Sequence, residues 1–261
     1  MKKIIIRGAI VLVVLLVVGV IAVGFFLGDL VKAGMNTVGP KITQTTFVVN
    51  SVSVSMLTGS AGVKGLVIGN PEGYQSPHAI SVGKAVVSVA PFSVLSDKIV
   101  VKSVEVRDAE ITFDGNPFGS NNLKKLQDNV NALAGASGAP VTNASAKTGD
   151  KKPAKKLQVD DFLITGAKVH ARINTGILNK EISLTLPDIH FSALGQGSEG
   201  ITAADLTRKV LSQITRATVE ELVKAVKDLS QDLGGLGTNA VKNVGDSVDK
   251  VKKSLGGLFG K

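Results

Sequence analysis

Three histidines and one pair of adjacent aspartates are the side chains best suited to acid–base chemistry in this sequence. His78, His170 and His190 lie far apart, and none has the H-E-x-x-H spacing by which a helix presents two ligands to a metal ion. Asp160 and Asp161 fall on a predicted strand, where successive side chains point to opposite faces, so they cannot act together as general acid and base. We therefore predict that the protein is not an enzyme and carries no metal or other cofactor.

Other chemical signatures are missing from the sequence as well. It contains no G-x-S-x-G nucleophile elbow, and Gly59-Ser60-Ala61-Gly62 lacks the lysine of a phosphate-binding loop. The absence of cysteine excludes disulfides and thiolate metal sites. With no tryptophan, one tyrosine and a net charge of +9 spread along the chain, the sequence offers no platform for nucleic acid, which is not an expected partner.

The strongest signal is the apolar segment from Gly8 to Leu27. Its 20 residues carry no charge, and 15 of them are Ile, Val, Leu or Phe. A helix rises about 1.5 Å per residue, so this segment would span roughly 30 Å, the thickness of a bilayer's hydrocarbon core. The sequence therefore predicts a transmembrane anchor, with its apolar surface supplied by Leu12, Leu15, Leu16, Phe25 and Phe26.

The charges around this segment predict its orientation. Lys2, Lys3 and Arg7 precede it, and Asp29 is the first charge after it, so the positive-inside rule places the N-terminus in the cytoplasm and exports the body. The alternative is a cleaved signal peptide, whose apolar region would be about 7–15 residues long and end in a small-x-small site. Because this run is longer and ends in two phenylalanines, we favour an uncleaved anchor.

The region from 41 to 115 has the period-2 alternation of half-buried strands. Turn residues such as Gly69-Asn70-Pro71-Glu72-Gly73 separate the strands. The predicted strands are 48–56, 63–68, 80–89, 98–106 and 110–113. Few connections are long enough for a crossover helix, so we predict a curved, mainly antiparallel sheet.

A short helix is predicted over 121–133, and a Gly-, Ala-, Ser- and Lys-rich linker follows over 134–156. Strands resume at Leu157, alternate clearly around Ala167–Asn174, and continue through 182–186, with a possible extension beyond Pro187. Residues 101–116 also echo residues 159–174 at an offset of 58 residues, each copy having the pattern of strand, tight turn, strand.

The period changes to that of a helix after Thr202. Thr202 and Asp205 have the spacing of an N-cap and its partner, and apolar residues then recur near every 3.6 positions to Leu229. A glycine-rich break at 234–237 precedes a second amphipathic stripe over 241–258. These helices either cover the sheet or bind the membrane surface or a partner, and the pattern alone leaves both alternatives open.

The order of these features resembles the N-terminal part of the AsmA-like family, envelope proteins with one anchor helix and an exported β-rich body. The matching residues are the anchor, the turn Leu66–Gly73, the strand Ala85–Val89, the stretch Val94–Val104 and the turn Gly119–Leu123. The resemblance covers roughly residues 1–200. It implies an inner-membrane, single-pass protein with its body in the periplasm, and a groove that shelters lipid acyl chains.

We therefore expect a non-enzymatic envelope protein that binds or guides membrane lipid. The alternative is a membrane-anchored scaffold whose C-terminal helices recruit an envelope partner or a second copy of the chain. Small and β-branched residues leave room along a groove, and the candidates are Val86, Val104, Val106, Val169 and Ile182. The predicted organisation is an anchor over 1–28, a first β unit over 29–133, a linker over 134–156, a second β segment over 157–200, an amphipathic helix over 201–233 and a glycine-hinged tail over 234–261.

Overall fold

The computed structural model describes residues 26–136, 155–174 and 179–232. The strands are β1 (Phe47–Ser55), β2 (Ser60–Ile68), β3 (Ile80–Val89), β4 (Lys98–Gly115), β5 (Lys156–Thr165), β6 (Lys168–Asn174), β7 (Asn179–Thr185) and β8 (Ile189–Leu194). The helices in these ranges are α1 (26–43), α2 (Asn122–Ala136) and α3 (Ala203–Asp232), and a 3₁₀ turn spans Pro91–Leu95. The predicted mainly β body with a C-terminal helix is confirmed.

The strands form one open sheet in the order β1-β2-β3-β4-β5-β8, with the hairpin of β6 and β7 also attached to β4. Five of its pairings are antiparallel, but β4 pairs in parallel with both β5 and β6. The prediction of a mainly antiparallel sheet is therefore confirmed for these five pairings, but the sheet is mixed, with parallel pairing at its centre. The connection from β4 to β5 contains α2, which is the kind of crossover that parallel pairing requires.

The internal echo of the sequence coincides with this parallel register. Val101 lies opposite Val159 and Ile111 lies opposite Val169, so each residue faces its counterpart 58 positions later. Similar residues therefore form a continuous apolar band across the centre of the sheet.

A single left-handed residue, rather than the predicted tight turn, interrupts the alternation in β4. Asp108 adopts a left-handed φ of 50°, and Gly166, its counterpart 58 positions later, has φ 63°. β4 stays hydrogen-bonded on both sides of this point. The register with the neighbouring strands is the same before and after Asp108, and the left-handed residue lets Val106 and Ala109 face the same side of the sheet.

The segment after Pro187 does not extend the preceding strand. β7 pairs with β6, whereas β8 returns to the far edge of β5, with Ile189 opposite Ile164. The apolar alternation on both sides of Pro187 hid this change of partner.

Helix α1 was not foreseen, because Gly28, Gly34, Gly39 and Pro40 suggest a broken segment. The glycines instead allow close contact with β1. A Cβ on Gly28 would overlap the carbonyl oxygen of Val52, and one on Gly39 would overlap the ring of Phe47. The helix thus runs antiparallel along the edge strand.

The predicted anchor lies almost entirely outside the described residues, which include only its last two positions. Leu12, Leu15, Leu16 and Phe25 fall outside them, and Phe26 is exposed at the start of α1. In the part of the chain that the structure describes, no helix is both long and apolar enough to span a membrane.

Helix α3 begins with the predicted cap. The Thr202 hydroxyl accepts a hydrogen bond from the Asp205 amide at 3.0 Å and donates one to its carboxylate at 2.7 Å. Its apolar residues, including Leu211, Ile214 and Leu222, are buried in the core formed with the sheet. The helix therefore packs against its own sheet, while the predicted second stripe at 241–258 and most of the linker lie outside the described residues.

A network of hydrogen bonds between side-chain amides joins the two turns, 66–73 and 119–123, that contribute to the resemblance to the AsmA-like family. The Asn122 side chain donates to Asn70 Oδ1 at 2.7 Å and to the Thr112 carbonyl at 2.6 Å, and accepts from the Asp114 amide at 2.9 Å. Asn70 in turn donates to the Ser76 carbonyl at 2.6 Å. These motif residues therefore connect the β2–β3 loop to the start of α2.

Candidate functional site

A cavity of about 350 Å³ lies between the concave face of the sheet and the helices. Strands β2 to β5 form its floor, and the first three turns of α3 form its roof. Met35 and Thr43 of α1 and Leu126 of α2 close its sides. The left-handed backbone at Asp108 contributes to this enclosure, because it turns the apolar residues of both halves of β4 towards the same space.

The lining of this cavity is almost wholly apolar. Among the described residues that line it, only Thr43 and Thr207 have a side-chain oxygen or nitrogen. The remainder are mainly valine, isoleucine, leucine and alanine, with Phe47 and Phe162 as the two aromatic residues. Such a surface offers dispersion contacts to a hydrocarbon but nothing to orient a polar or charged substrate.

Exposure of the lining residues of β3, β4 and β5 rises along the strands. Ile80, Ile111 and Ala167 are buried at one end, whereas Val104 and Phe162 are only half-buried at the other. Helix α3 follows the same gradient, since Leu206 near its start is half-buried and Ile214 is buried. We call the half-buried end, formed by Val87, Val104, Phe162 and Leu206, the mouth of the cavity.

The five predicted groove residues occupy different places. Val104 and Val106 line the cavity. Val169 is fully buried in the core beyond it, and Ile182 is half-buried against that core. Val86 does not line the cavity: it is 39% exposed on the opposite face, because Ala85 and Val87 are the residues of β3 that point inwards.

The cavity also contains residues that were not predicted. The roof residues Leu206, Val210 and Ile214 belong to the recognised 3.6-residue stripe, so their period already marked them as packing residues. Met35 lies seven residues before Ile42, a spacing typical of one face of a helix. This signal was weak, because the glycines of α1 argue against a helix in this segment.

The polar candidates lie away from this cavity in two separate pairs. His170 Nδ1 is 3.1 Å from the Ser183 hydroxyl, and His190 Nε2 is 2.5 Å from Asp161 Oδ1, with the latter pair about half exposed. Asp160 instead accepts a hydrogen bond from Gln158 at 2.7 Å. Within the described ranges, no group of three or more His, Asp or Glu side chains is arranged to hold a metal ion.

The carboxylate of Asp114, near the buried end of the cavity, has a structural role. Asp114 Oδ2 accepts from the Ser76 hydroxyl at 3.2 Å and from the Gln75 amide at 3.2 Å, which holds the β2–β3 loop against β4. Burial raises the pKa of Tyr74 above its ordinary value, and the charges of Asp114 and Asp128 reinforce the effect.

The described residues form a curved, open mixed sheet with helices over a cavity lined by apolar side chains. A sequence model of the AsmA family matches residues 1–192, and the chain belongs to that family, whose members are generally envelope-associated. No curated protein and no solved structure matched the chain.

Proposed function

We propose that this protein is an envelope lipid-binding protein that shelters an acyl chain in the cavity beneath α3. The observation that carries this proposal is the cavity itself, about 350 Å³ of space with an almost entirely apolar lining. Binding sites for small ligands are typically about 300–1,000 Å³ and mostly apolar, so the space is of ligand size. Membership of an envelope-associated family supports a membrane lipid as the ligand.

The energetics of an empty cavity favour an occupant. Residual cavities in protein cores destabilise by about 24 cal/mol per Å³, because their lining atoms lack contacts on one side. This cost applies to the buried end of the cavity, and not to the mouth, which is accessible to water. A bound hydrocarbon chain would restore the missing contacts and remove much of this penalty.

The position of α3 bears on the scaffold alternative. An uncovered sheet face would favour lipid binding, and a face closed by residues 202–230 would favour a scaffold. The structure has features of both, because α3 covers the face without filling the space below it. Recruitment of a partner or of a second copy therefore rests on the stripe at 241–258, outside the described residues, and lipid binding is the function we favour.

Filling the mouth of the cavity tests the proposal. Val104→Phe adds bulk at a half-buried lining position, so we expect less lipid to co-purify with the full chain in mild detergent while the melting temperature is maintained. Mass spectrometry of the extracted lipid is the measurement.

The matched control is Val86→Phe, which adds the same bulk on the outer face of the sheet. The proposal requires that this control retain the lipid of the wild-type chain. A wild-type protein that carries no more lipid than Val104→Phe would contradict it.

We further propose an uncleaved single-pass anchor in the inner membrane, with the body in the periplasm. The charges before Gly8 support this orientation. An alkaline phosphatase fused after Lys261 is expected to be active, because that enzyme requires export, whereas a reporter active only in the cytoplasm should be silent. The reverse pattern would reject the topology, and a mature N-terminus near residue 29 would reject the uncleaved anchor.

We propose no catalytic activity and no cofactor. The two histidine pairs support this proposal. His170 contacts a serine hydroxyl and His190 contacts a carboxylate, whereas the histidine of a nucleophilic triad contacts both groups.

A further inference from the structure

Five large apolar side chains are exposed together at one end of the sheet. Met56 and Leu57 occupy the β1–β2 turn, and Phe92, Val94 and Leu95 belong to the 3₁₀ turn between β3 and β4. Leu57, Phe92 and Leu95 are 75%, 89% and 87% exposed. We call this set the apolar tip; contiguous exposed patches of this kind mark interaction sites.

The two turns of the apolar tip are held side by side. The Val89 amide donates to the Gly59 carbonyl at 2.7 Å, and a Cβ on Gly59 would lie 2.9 Å from Pro91 Cγ. The tip is therefore a single composite surface attached to the central strands.

The course of α1 indicates what covers this surface. The helix runs antiparallel to β1, with Gly39 beside Phe47, Asn36 bonded to the Val49 amide at 2.8 Å, and Gly28 beside Val52. The start of α1 therefore points towards the apolar tip. The uncharged run of the sequence ends at Leu27, at this same end.

A simple length comparison gives the depth of the tip. From Gly28 to Phe26 the helix rises about 3 Å, whereas from Val52 to Met56 the strand advances about 13 Å. The tip therefore projects roughly 10 Å beyond the first described residue of α1, which matches the depth of about 5–10 Å to which interfacial apolar side chains enter a bilayer.

Charges next to the tip suit a lipid surface. Lys155 donates a hydrogen bond from Nζ to the Val94 carbonyl, and Lys98 and Lys156 lie beside it, with Asp97 and Glu199 as acids of the same region. Lysines that flank exposed apolar side chains are typical of segments that bind anionic headgroups while their neighbours enter the acyl region.

We infer that the apolar tip inserts into the outer leaflet of the membrane in which the chain is anchored. The mouth of the cavity lies at this end of the sheet, since Val87 is two residues before the end of β3. Insertion holds the mouth against the bilayer, so an acyl chain would reach the cavity without crossing water. The inference does not require the cavity to be occupied, and its test is independent of lipid co-purification.

The absence of native cysteine allows a site-specific test in the full chain. Phe92→Cys and Leu57→Cys are each labelled with an environment-sensitive fluorophore and reconstituted in vesicles of phosphatidylethanolamine and phosphatidylglycerol. Glu72→Cys, exposed in the β2–β3 loop at the opposite end of the sheet, is the control. All three positions are exposed, so the fold should tolerate the substitutions.

The expected result is quenching of the labels at 92 and 57 by lipid-borne nitroxide, with loss of quenching by aqueous iodide, and the opposite behaviour at 72. Equal iodide quenching at all three positions would overturn the inference. Shielding at 92 and 57 without nitroxide quenching would also overturn it. In that case a 92–92 disulfide, formed in the unlabelled Phe92→Cys protein with a copper–phenanthroline oxidant, would assign the tip to a dimer interface.

Discussion

Glutamate at Val169 is expected to unfold the domain, whereas glutamate at Val104 is expected to leave it folded and empty of lipid. Val169 is fully buried between Ile111 and Leu184 of the neighbouring strands, where a carboxylate has no partner. Burying an unpaired charge costs several kcal/mol, a large part of a stability of about 5–15 kcal/mol. We expect Val169→Glu to lose its cooperative thermal transition in circular dichroism.

Val104 differs because it faces the mouth of the cavity and is only half-buried. A carboxylate there can remain hydrated, so Val104→Glu should lose less than about 2 kcal/mol of unfolding free energy. The same charge at the mouth would make entry of a hydrocarbon unfavourable, and co-purified lipid should fall. Val106→Glu, at a buried lining position, is expected to lie between the two in stability.

Val86→Glu provides the control, because Val86 lies on the outer face. It should retain the lipid and the fold, with a loss of less than about 1 kcal/mol because Glu105 lies directly opposite it on β4. If Val104→Glu unfolds the domain as completely as Val169→Glu does, the mouth is packed core, and the lipid-binding proposal loses its structural basis.

The second large effect is expected at Asn122. This side chain is fully buried and makes three hydrogen bonds, of 2.6, 2.7 and 2.9 Å, so Asn122→Ala leaves buried backbone groups and Asn70 unsatisfied. Each unsatisfied buried group costs about 1–3 kcal/mol, and we expect a loss of roughly 2–4 kcal/mol in unfolding free energy. Chemical denaturation of the full chain in detergent measures it.

Two further substitutions distinguish loss of the Asn122 hydrogen bonds from the effect of removing any asparagine side chain. Asn122→Asp keeps the size of the side chain but an ionised carboxylate cannot donate to Asn70 or Thr112, so it should be destabilising as well. Asn50→Ala, at an exposed position on β1, should change stability by less than about 0.5 kcal/mol. An Asn122→Ala protein as stable as Asn50→Ala would show that the network does not stabilise the fold.

Local patterns predicted most of the strands, because the alternation of valine with serine or lysine records which residues are half-buried. The capped helix after Thr202 was also predicted, because both its N-cap and its 3.6-residue apolar period can be recognised within one continuous stretch of sequence. Pairing was not predictable in the same way. The change of alternation between Val106 and Ala109 suggests a turn in the sequence, whereas in the structure β4 continues past it in the same register with its neighbours.

The candidate site was predicted only in part, because local alternation identifies inward-facing residues only where polar residues interrupt the apolar ones. Val104 and Val106 could be placed on an inward face, but Val86 could not be separated from Ala85 and Val87 within an uninterrupted apolar run. The volume of the cavity depends on how far α3 stands from the sheet, which no single residue encodes. The contribution of α1 was hidden because glycines that permit close packing look, in sequence, like helix breakers.

The position of an acyl chain in the membrane-embedded protein tests the lipid-binding proposal most directly. Cells that express the full chain are supplied with a diazirine-labelled fatty acid, irradiated, and the cross-linked residues are mapped by mass spectrometry. Lipid-binding in the cavity predicts cross-links to inward residues such as Met35, Val104 and Ile214, reduced in Val104→Phe. Cross-links confined to the apolar segment 8–27, with none in the cavity, would show that lipid only surrounds the anchor and would contradict the proposal.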